Sequence, residues 1–183
     1  QVYNGADDDG SGTVALLEIA EAFKLAFDDG KGPKRSLVFL HFTGEEKGLL
    51  GSKFYTENPL YPLPSTIADL NIDMIGRINP KRNSNNPNYI YLIGSDKISM
   101  ELHNISEEIN EKYTQLELDY TYNKEDDPNR FYYRSDHYNF AKNNIPVIFY
   151  FSGTHQDYHK ITDTADKILY STFEKRTKLI FHT

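Results

Sequence analysis

The chain has 183 residues, enough for one α/β domain with a single core, and carries 27 acidic against 20 basic side chains for a formal net charge of −7. That balance argues against a polyanion partner, because nucleic-acid binding needs clustered Lys and Arg to displace counterions. The chain has no cysteine, which excludes disulfides and thiolate metal sites and leaves His, Asp and Glu as donors for a transition metal. No apolar run approaches the roughly 20 residues of a membrane span.

Residues 1–10 read as a loop rich in Gly, Asn and Asp. Ser11-Gly12-Thr13 then opens a segment with Leu16, Ile19, Ala20, Phe23, Ala26 and Phe27 on one helical face, closed by Asp29-Gly30 and Gly32-Pro33. The apolar run Ser36–Phe42 predicts a strand buried on both faces, ending in Thr43-Gly44-Glu45-Glu46. A short helix is expected near Ser52–Glu57, then a proline-punctuated loop through Pro59, Pro62 and Pro64. Ile67–Met74 reads as a strand finishing at Asp73, and Tyr89–Ile93 as another. Lys97–Tyr113 has helical spacing through Ile98, Leu102, Ile105 and Ile109. Leu116–Tyr122 is expected as a strand, Asn123–Arg134 as a charged loop and Tyr138–Lys142 as a short helix. Pro146–Phe151 is the last apolar strand and Asp163–Phe181 the final helix. With 14 Tyr, 11 Phe and no Trp, the chain is rich in aromatics suited to packing or to lining a peptide or carbohydrate cleft.

Strands alternating with helices imply a layered α/β sheet, in which ligands gather at the carboxyl ends of the strands. Glu45-Glu46, Asp73 and the loop after Phe151 all fall there. An ionised carboxylate next to a core is costly unless it is paired or bound to metal. Taken singly, Asp7, Asp8 and Asp9 read as turn formers or helix caps, Glu45-Glu46 as partners of a helix dipole, and His159 as an ordinary histidine. Together, Gly5–Gly12, Gly44-Glu45-Glu46, Asn71–Gly76 and Asp157–Asp163 supply carboxylate oxygen and imidazole, a mixture suited to zinc.

These segments, in this order, resemble the co-catalytic zinc aminopeptidases of peptidase family M28, over nearly the whole chain from Gly5 to about Ile168. The resemblance implies one catalytic domain across residues 1–183, with a mostly parallel, twisted sheet and helices on both faces. It implies Asp8 as a carboxylate bridging two zinc ions, with Glu46 and His159 completing one site and Asp73 serving the other. Glu45 would be the general base and acid, and Tyr158 a hydrogen-bond donor to the reacting centre. Ser135-Asp136-His137 resembles a family segment that orients a ligand, with direct ligation by His137 as the weaker reading. The implied substrates are peptide or protein N-termini, and the implied place of work is outside the cell or the periplasm.

The family also has a histidine upstream of the bridging aspartate, and none precedes Asp8 here. The resemblance therefore implies a chain truncated at both ends, lacking the first strands of the sheet. Two zinc ions are expected in a longer parent, and one is the alternative for this chain. Rival readings are a single-zinc transferase like glutaminyl cyclase, a dipeptidase or carboxypeptidase relative, and a silent binding module that keeps the fold.

Overall fold

The computed structural model describes residues 3–183. Its sheet has four strands, β1 (Asp69–Ile72), β2 (Tyr89–Ile93), β3 (Glu117–Asp119) and β4 (Val147–Phe151), in the order β1-β4-β2-β3. β1 runs parallel to β4 with Asp69 opposite Val147, and β2 runs parallel to β3 with Tyr89 opposite Glu117. β2 and β4 are antiparallel, so the sheet is mixed and two of its three pairings are parallel. Every residue of β2 and β4 is buried, as their unbroken apolar runs require of central strands covered on both faces.

The period-two alternation of a strand sorts these side chains into two cores. Ile90, Leu92, Ile148 and Tyr150 face one way, against Ala15 and Ile19 of α1 (Gly10–Asp28) and Leu179 and Ile180 of α5 (Tyr170–His182). Leu102 and Ile109 of α3 (Met100–Ile109) complete that layer. Tyr89, Tyr91, Ile93, Phe149 and Phe151 face the other way, against Met74 and Phe131. Beside them, Phe140 of α4 (His137–Ala141) and Tyr55 of α2 (Leu50–Glu57) pack over Val147.

The largest departure from the sequence reading is Ser36–Phe42. It makes no strand pairing, and Leu37, Val38 and Phe39 are 44%, 46% and 37% exposed. Only Leu40 and Phe42 reach the α2–α4 cluster. A strand exists through its neighbours' hydrogen bonds, and among the described residues none lies beside this segment. Two helices are also shorter than their apolar spacing suggests. α3 starts at Met100 because the Ser99 hydroxyl caps the Leu102 N–H at 3.2 Å, and it ends in a wider turn over Asn110–Thr114. α5 starts at Tyr170, since Asp163 is drawn into the site and residues 165–167 form a separate turn.

One buried cation ties the sheet to its loops. Arg176 of α5 is fully buried, and its guanidinium donates to the carbonyls of Tyr89 (2.8 Å), Ile75 (2.7 Å), Arg77 (2.6 Å) and Pro87 (3.2 Å). Burial lowers its pKa to about 10, so it stays charged at neutral pH. Arg176→Met keeps the stem and strands these carbonyls, each a buried acceptor losing a charged donor. The expected loss is about 3–5 kcal/mol of unfolding free energy by urea titration. A loss below about 1 kcal/mol would show that the guanidinium is dispensable.

Asp69, at the start of β1, has its Oδ2 buried without a hydrogen-bond partner. Burial first, then the charge of Asp136, raises its pKa to about 7. A carboxyl raised in the folded state above its unfolded value of about 4 destabilises the fold as pH rises through that interval, and the cost is complete above the folded pKa. Asp69→Asn is therefore expected to leave stability at pH 4 nearly unchanged and to add about 2 kcal/mol at pH 8. Equal gains at the two pH values would refute this account of Asp69.

Candidate metal centre

Three turns converge at the carboxyl ends of β1 and β4. The first precedes α1, where Asp9 caps the helix by accepting the Gly12 N–H at 3.0 Å and also accepts the Met74 N–H at 3.0 Å. The Asp8–Asp9 peptide bond is cis. Gly12 lets the helix end approach β1 closely, since a Cβ there would lie 2.4 Å from the Ile72 carbonyl oxygen. The second turn, Glu45–Lys47, is entered through Gly44 at φ +69°. Successive side chains of so tight a turn stand about 120° apart instead of pointing to opposite faces as in a strand, and Glu45 and Glu46 both line the same cleft. The third follows β4 and places His159 in the left-handed region at φ +56°.

His159 Nε2 lies 2.8 Å from Glu46 Oε1 and 3.1 Å from Asp8 Oδ2. Ligand atoms of Asp8, Glu46 and His159 all lie within 4.8 Å of one another, the one such group among the described residues. The cleft is lined by the acids Asp8, Glu45, Glu46 and Asp73, by the apolar Met74, Phe131, Phe149 and Phe151, and by Tyr158, Arg134 and Thr154. Asp73 therefore shares the cleft but stands outside the three-donor group. Its Oδ2 accepts the Ser135 hydroxyl at 2.8 Å, and Ser135 Oγ accepts the Asn71 side-chain amide at 2.9 Å. Its Oδ1 is buried without a hydrogen-bond partner.

The electrostatics are those of acids short of a cation. Burial first, then the charges of Asp73 and Glu46, raises Asp8 to about 8. Burial, Asp73 and Glu46 raise Glu45 to about 8. Asp73 is raised by burial to about 6, with the Ser135 hydrogen bond pulling the other way. Two carboxylates and an imidazole nitrogen form a donor set that suits zinc, and an orphaned carboxylate oxygen beside them fits the same need. Tyr158 is raised to about 12, first by burial and then by Asp8, so it remains a neutral O–H donor at neutral pH. Its ring stacks on His159 at 3.8 Å between centroids, and Arg134 donates to its oxygen at 3.5 Å.

Of the Ser135-Asp136-His137 segment, Ser135 touches a cleft carboxylate, Asp136 accepts the Ser52 hydroxyl, and His137 is not among the residues that line the cleft. His137 is fully buried, stacks on Phe149 at 4.7 Å, and burial lowers its pKa to about 3. The sequence reading missed the support behind the cleft. Asp163 Oδ2 accepts the N–H groups of Asp7 and Asp8, and Asp7, His155, Arg77 and Asp157 are packed around it. The only sequence signal for these was their nearness to Asp8, Asp73 and His159.

A cation-binding cleft predicts ligand-linked stability. Zinc added at about a hundred times its dissociation constant is expected to stabilise the fold by about 2.7 kcal/mol, read as a rise in melting temperature. His159→Ala should remove most of that rise. An undiminished rise in this variant would place zinc elsewhere.

Known proteins resemble the chain in both sequence and fold. The family described as "Peptidase family M28" matches residues 1–183. Leupeptin-inactivating enzyme 1 of Streptomyces exfoliatus is 34% identical over 164 residues, covering 89% of this chain and 32% of that protein. Aminopeptidase Y of Saccharomyces cerevisiae is 30% identical over 198 residues, covering 98% and 32%. The chain thus spans about a third of the length of these relatives. Among solved structures, the zinc aminopeptidase BSAP from Bacillus subtilis superposes with a TM-score of 0.79 at 24% identity, over 98% of this chain and 41% of that one. The glutaminyl cyclase of Porphyromonas gingivalis is more distant, with a TM-score of 0.66 at 18% identity over 99% and 62%. The match over the whole sequence shows that this chain belongs to peptidase family M28.

Proposed function

We propose that the protein of which this chain forms part is a zinc-dependent aminopeptidase that hydrolyses N-terminal peptide bonds. The observation that carries this reading is the convergence of Asp8, Glu46 and His159, with Glu45 in the same cleft. Relatives named as a leupeptin-inactivating enzyme and an aminopeptidase support it. Zinc held by Asp8, Glu46 and His159 would supply Lewis acidity, polarising a carbonyl and acidifying a water molecule. A second ion would draw on Asp73 and share Asp8.

The remaining work falls to the chain's own groups. Glu45 takes the proton from the attacking water and hands it to the departing amine. Tyr158 donates its O–H toward the oxygen that gains charge as the carbonyl is attacked. The cluster of acids attracts the substrate's free α-ammonium, which selects the chain end over an internal bond. Met74, Phe131, Phe149 and Phe151 offer an apolar wall to a side chain. A secreted or periplasmic place of work is part of the same reading. Among the described residues, no helix is long and apolar enough to cross a membrane.

A second reading rests on the same trio. One three-donor group would also serve a single-zinc cyclase, as the glutaminyl cyclase fold similarity allows. Hydrolysis of aminoacyl-p-nitroanilides by the zinc-loaded full-length protein, alongside cyclisation of an N-terminal glutaminyl peptide, separates the two. The aminopeptidase reading expects anilide cleavage, with Glu45→Gln slowing kcat by about 10²–10⁴-fold at nearly unchanged zinc content. Cyclisation without cleavage would reverse the assignment.

A further inference from the structure

Behind the cleft lies a buried cluster that the proposed chemistry does not use. His155, Asp7, Asp157 and Asp163 are 8%, 0%, 5% and 1% exposed, and the Arg77 side chain is 13% exposed. Arg77 Nη1 lies 3.1 Å from His155 Nδ1, and the Asp157 backbone N–H donates to the same nitrogen at 3.2 Å. Neither partner can accept, so Nδ1 must be the bare nitrogen of the ring and Nε2 carries the proton. That Nε2–H stands 3.2 Å from Asp7 Oδ2 and 4.0 Å from Asp163 Oδ1. It makes a hydrogen bond to neither, so the N–H faces two buried carboxylate oxygens that themselves have no hydrogen-bond partner.

The other atoms of the cluster are committed. Asp7 Oδ1 accepts the Ser11 hydroxyl at 2.8 Å and the Gly76 N–H at 2.7 Å. Asp163 Oδ2 accepts the N–H groups of Asp7 (2.9 Å) and Asp8 (3.2 Å). Asp157 pairs with Arg77 at 2.8 Å and with Lys167 at 2.9 Å. Hydrogen bonds from Thr162, Lys167 and Arg77 hold its carboxyl well below the usual carboxylate range. Through one of its ring nitrogens His155 thus grips the turn that carries His159, and through the other it faces the turn that carries Asp8.

We propose that His155 is a positioning residue that locks the Asp8 turn to the His159 turn and so fixes the separation of two metal-binding side chains. The inference rests on the zinc reading of the cleft for its consequence, while the lock itself is a property of the metal-free fold. Groups that orient metal-binding side chains commonly change metal affinity by 10–100-fold when replaced.

The test uses the full-length protein with His155→Phe, which keeps a ring without nitrogens, and His155→Gln, which keeps one donor and one acceptor. Hydrogen exchange on the metal-free proteins reads the lock. Expected for His155→Phe is at least tenfold faster exchange at the Asp7 and Asp8 amides, with the β2 and β4 amides nearly unchanged. Chelator competition reads the consequence, with zinc bound 10–100-fold more weakly and His155→Gln recovering most of the loss. Unchanged Asp7 and Asp8 exchange overturns the lock, as does uniform acceleration across β2 and β4 without rescue by Gln. Faster local exchange with unchanged zinc affinity overturns the positioning role. If the wild type binds no zinc, the zinc reading of the cleft and the positioning role fail together, and exchange still decides whether the turns are locked. If His155→Phe does not fold, the Gln variant carries the same comparison: wild-type zinc affinity despite faster exchange would overturn the proposal.

Discussion

Mutual repulsion among carboxylates is the constraint on which the rest of this structure depends. Asp8, Glu45, Glu46 and Asp73 line one cleft, with Asp7, Asp9 and Asp163 close behind Asp8. Left unmet, like charges at such distances and partial burial cost several kcal/mol. The fold answers with neutral donors and a helix end. Ser135 holds Asp73, while backbone N–H groups of Met74 and Gly12 hold Asp9. The first turn of α1 directs the positive end of its dipole toward the same place. What remains unanswered falls on Asp8, Glu45 and Asp73, raised to about 8, 8 and 6, and on Asp9, which burial and Asp73 raise despite its two N–H donors. A bound cation would supply what these donors cannot.

The division between scaffold and site follows from that constraint. β2 and β4 are buried along their whole length and bear none of the cleft carboxylates. Asp73 directly follows β1, while Asp8 and the Glu45-Glu46 pair sit on turns outside the sheet, and the backbone around the cleft is itself unusual. Met74 and His159 are non-glycine residues at φ +55° and +56°, conformations that cost about 1–3 kcal/mol each and persist only when surrounding contacts over-determine them. Around Met74 those contacts are the Asp9 carboxylate on its N–H and Ser152 on its carbonyl. Around His159 they are the Tyr158 ring and the Asp8 and Glu46 carboxylates. Arg176 acts one layer further back, binding the carbonyls of Ile75 and Arg77 that follow Asp73.

Local pattern made much of this legible. The unbroken apolar runs at Tyr89–Ile93 and Val147–Phe151 became the two central strands, and the spacing through Ile19 and Phe23 became α1. Ser36–Phe42 carried the same apolar signal and formed no strand, because pairing depends on a neighbour that a local pattern does not encode. The start of α5 was misplaced for a related reason, since Asp163 bonds to residues 155 and 156 positions away in sequence. The gathering of Asp8, Glu46 and His159 was anticipated from ordered motifs, and spacing alone would have left each with its ordinary reading. His155 and Arg77 carried no such signal, because their role exists only once β1 and the loop after β4 are side by side.

The three consecutive aspartates show how one residue type at adjacent positions acquires different physical roles. Asp7 is fully buried and committed to Ser11, Gly76 and the His155 side. Asp9 is committed to the α1 N-terminus and to Met74, with burial and Asp73 raising its carboxyl well above the usual range. Asp8, between them, is anchored through its backbone N–H to Asp163, while its carboxylate meets His159 in the cleft. The flanking residues thus fix the main chain on both sides and leave the middle carboxylate as the free donor. Moving the motif by one position would bury that donor among partners it cannot leave. The chemistry of the cleft therefore depends on Asp7 and Asp9 being held in place by Ser11, Gly76, Gly12 and Met74 as much as on Asp8 being available.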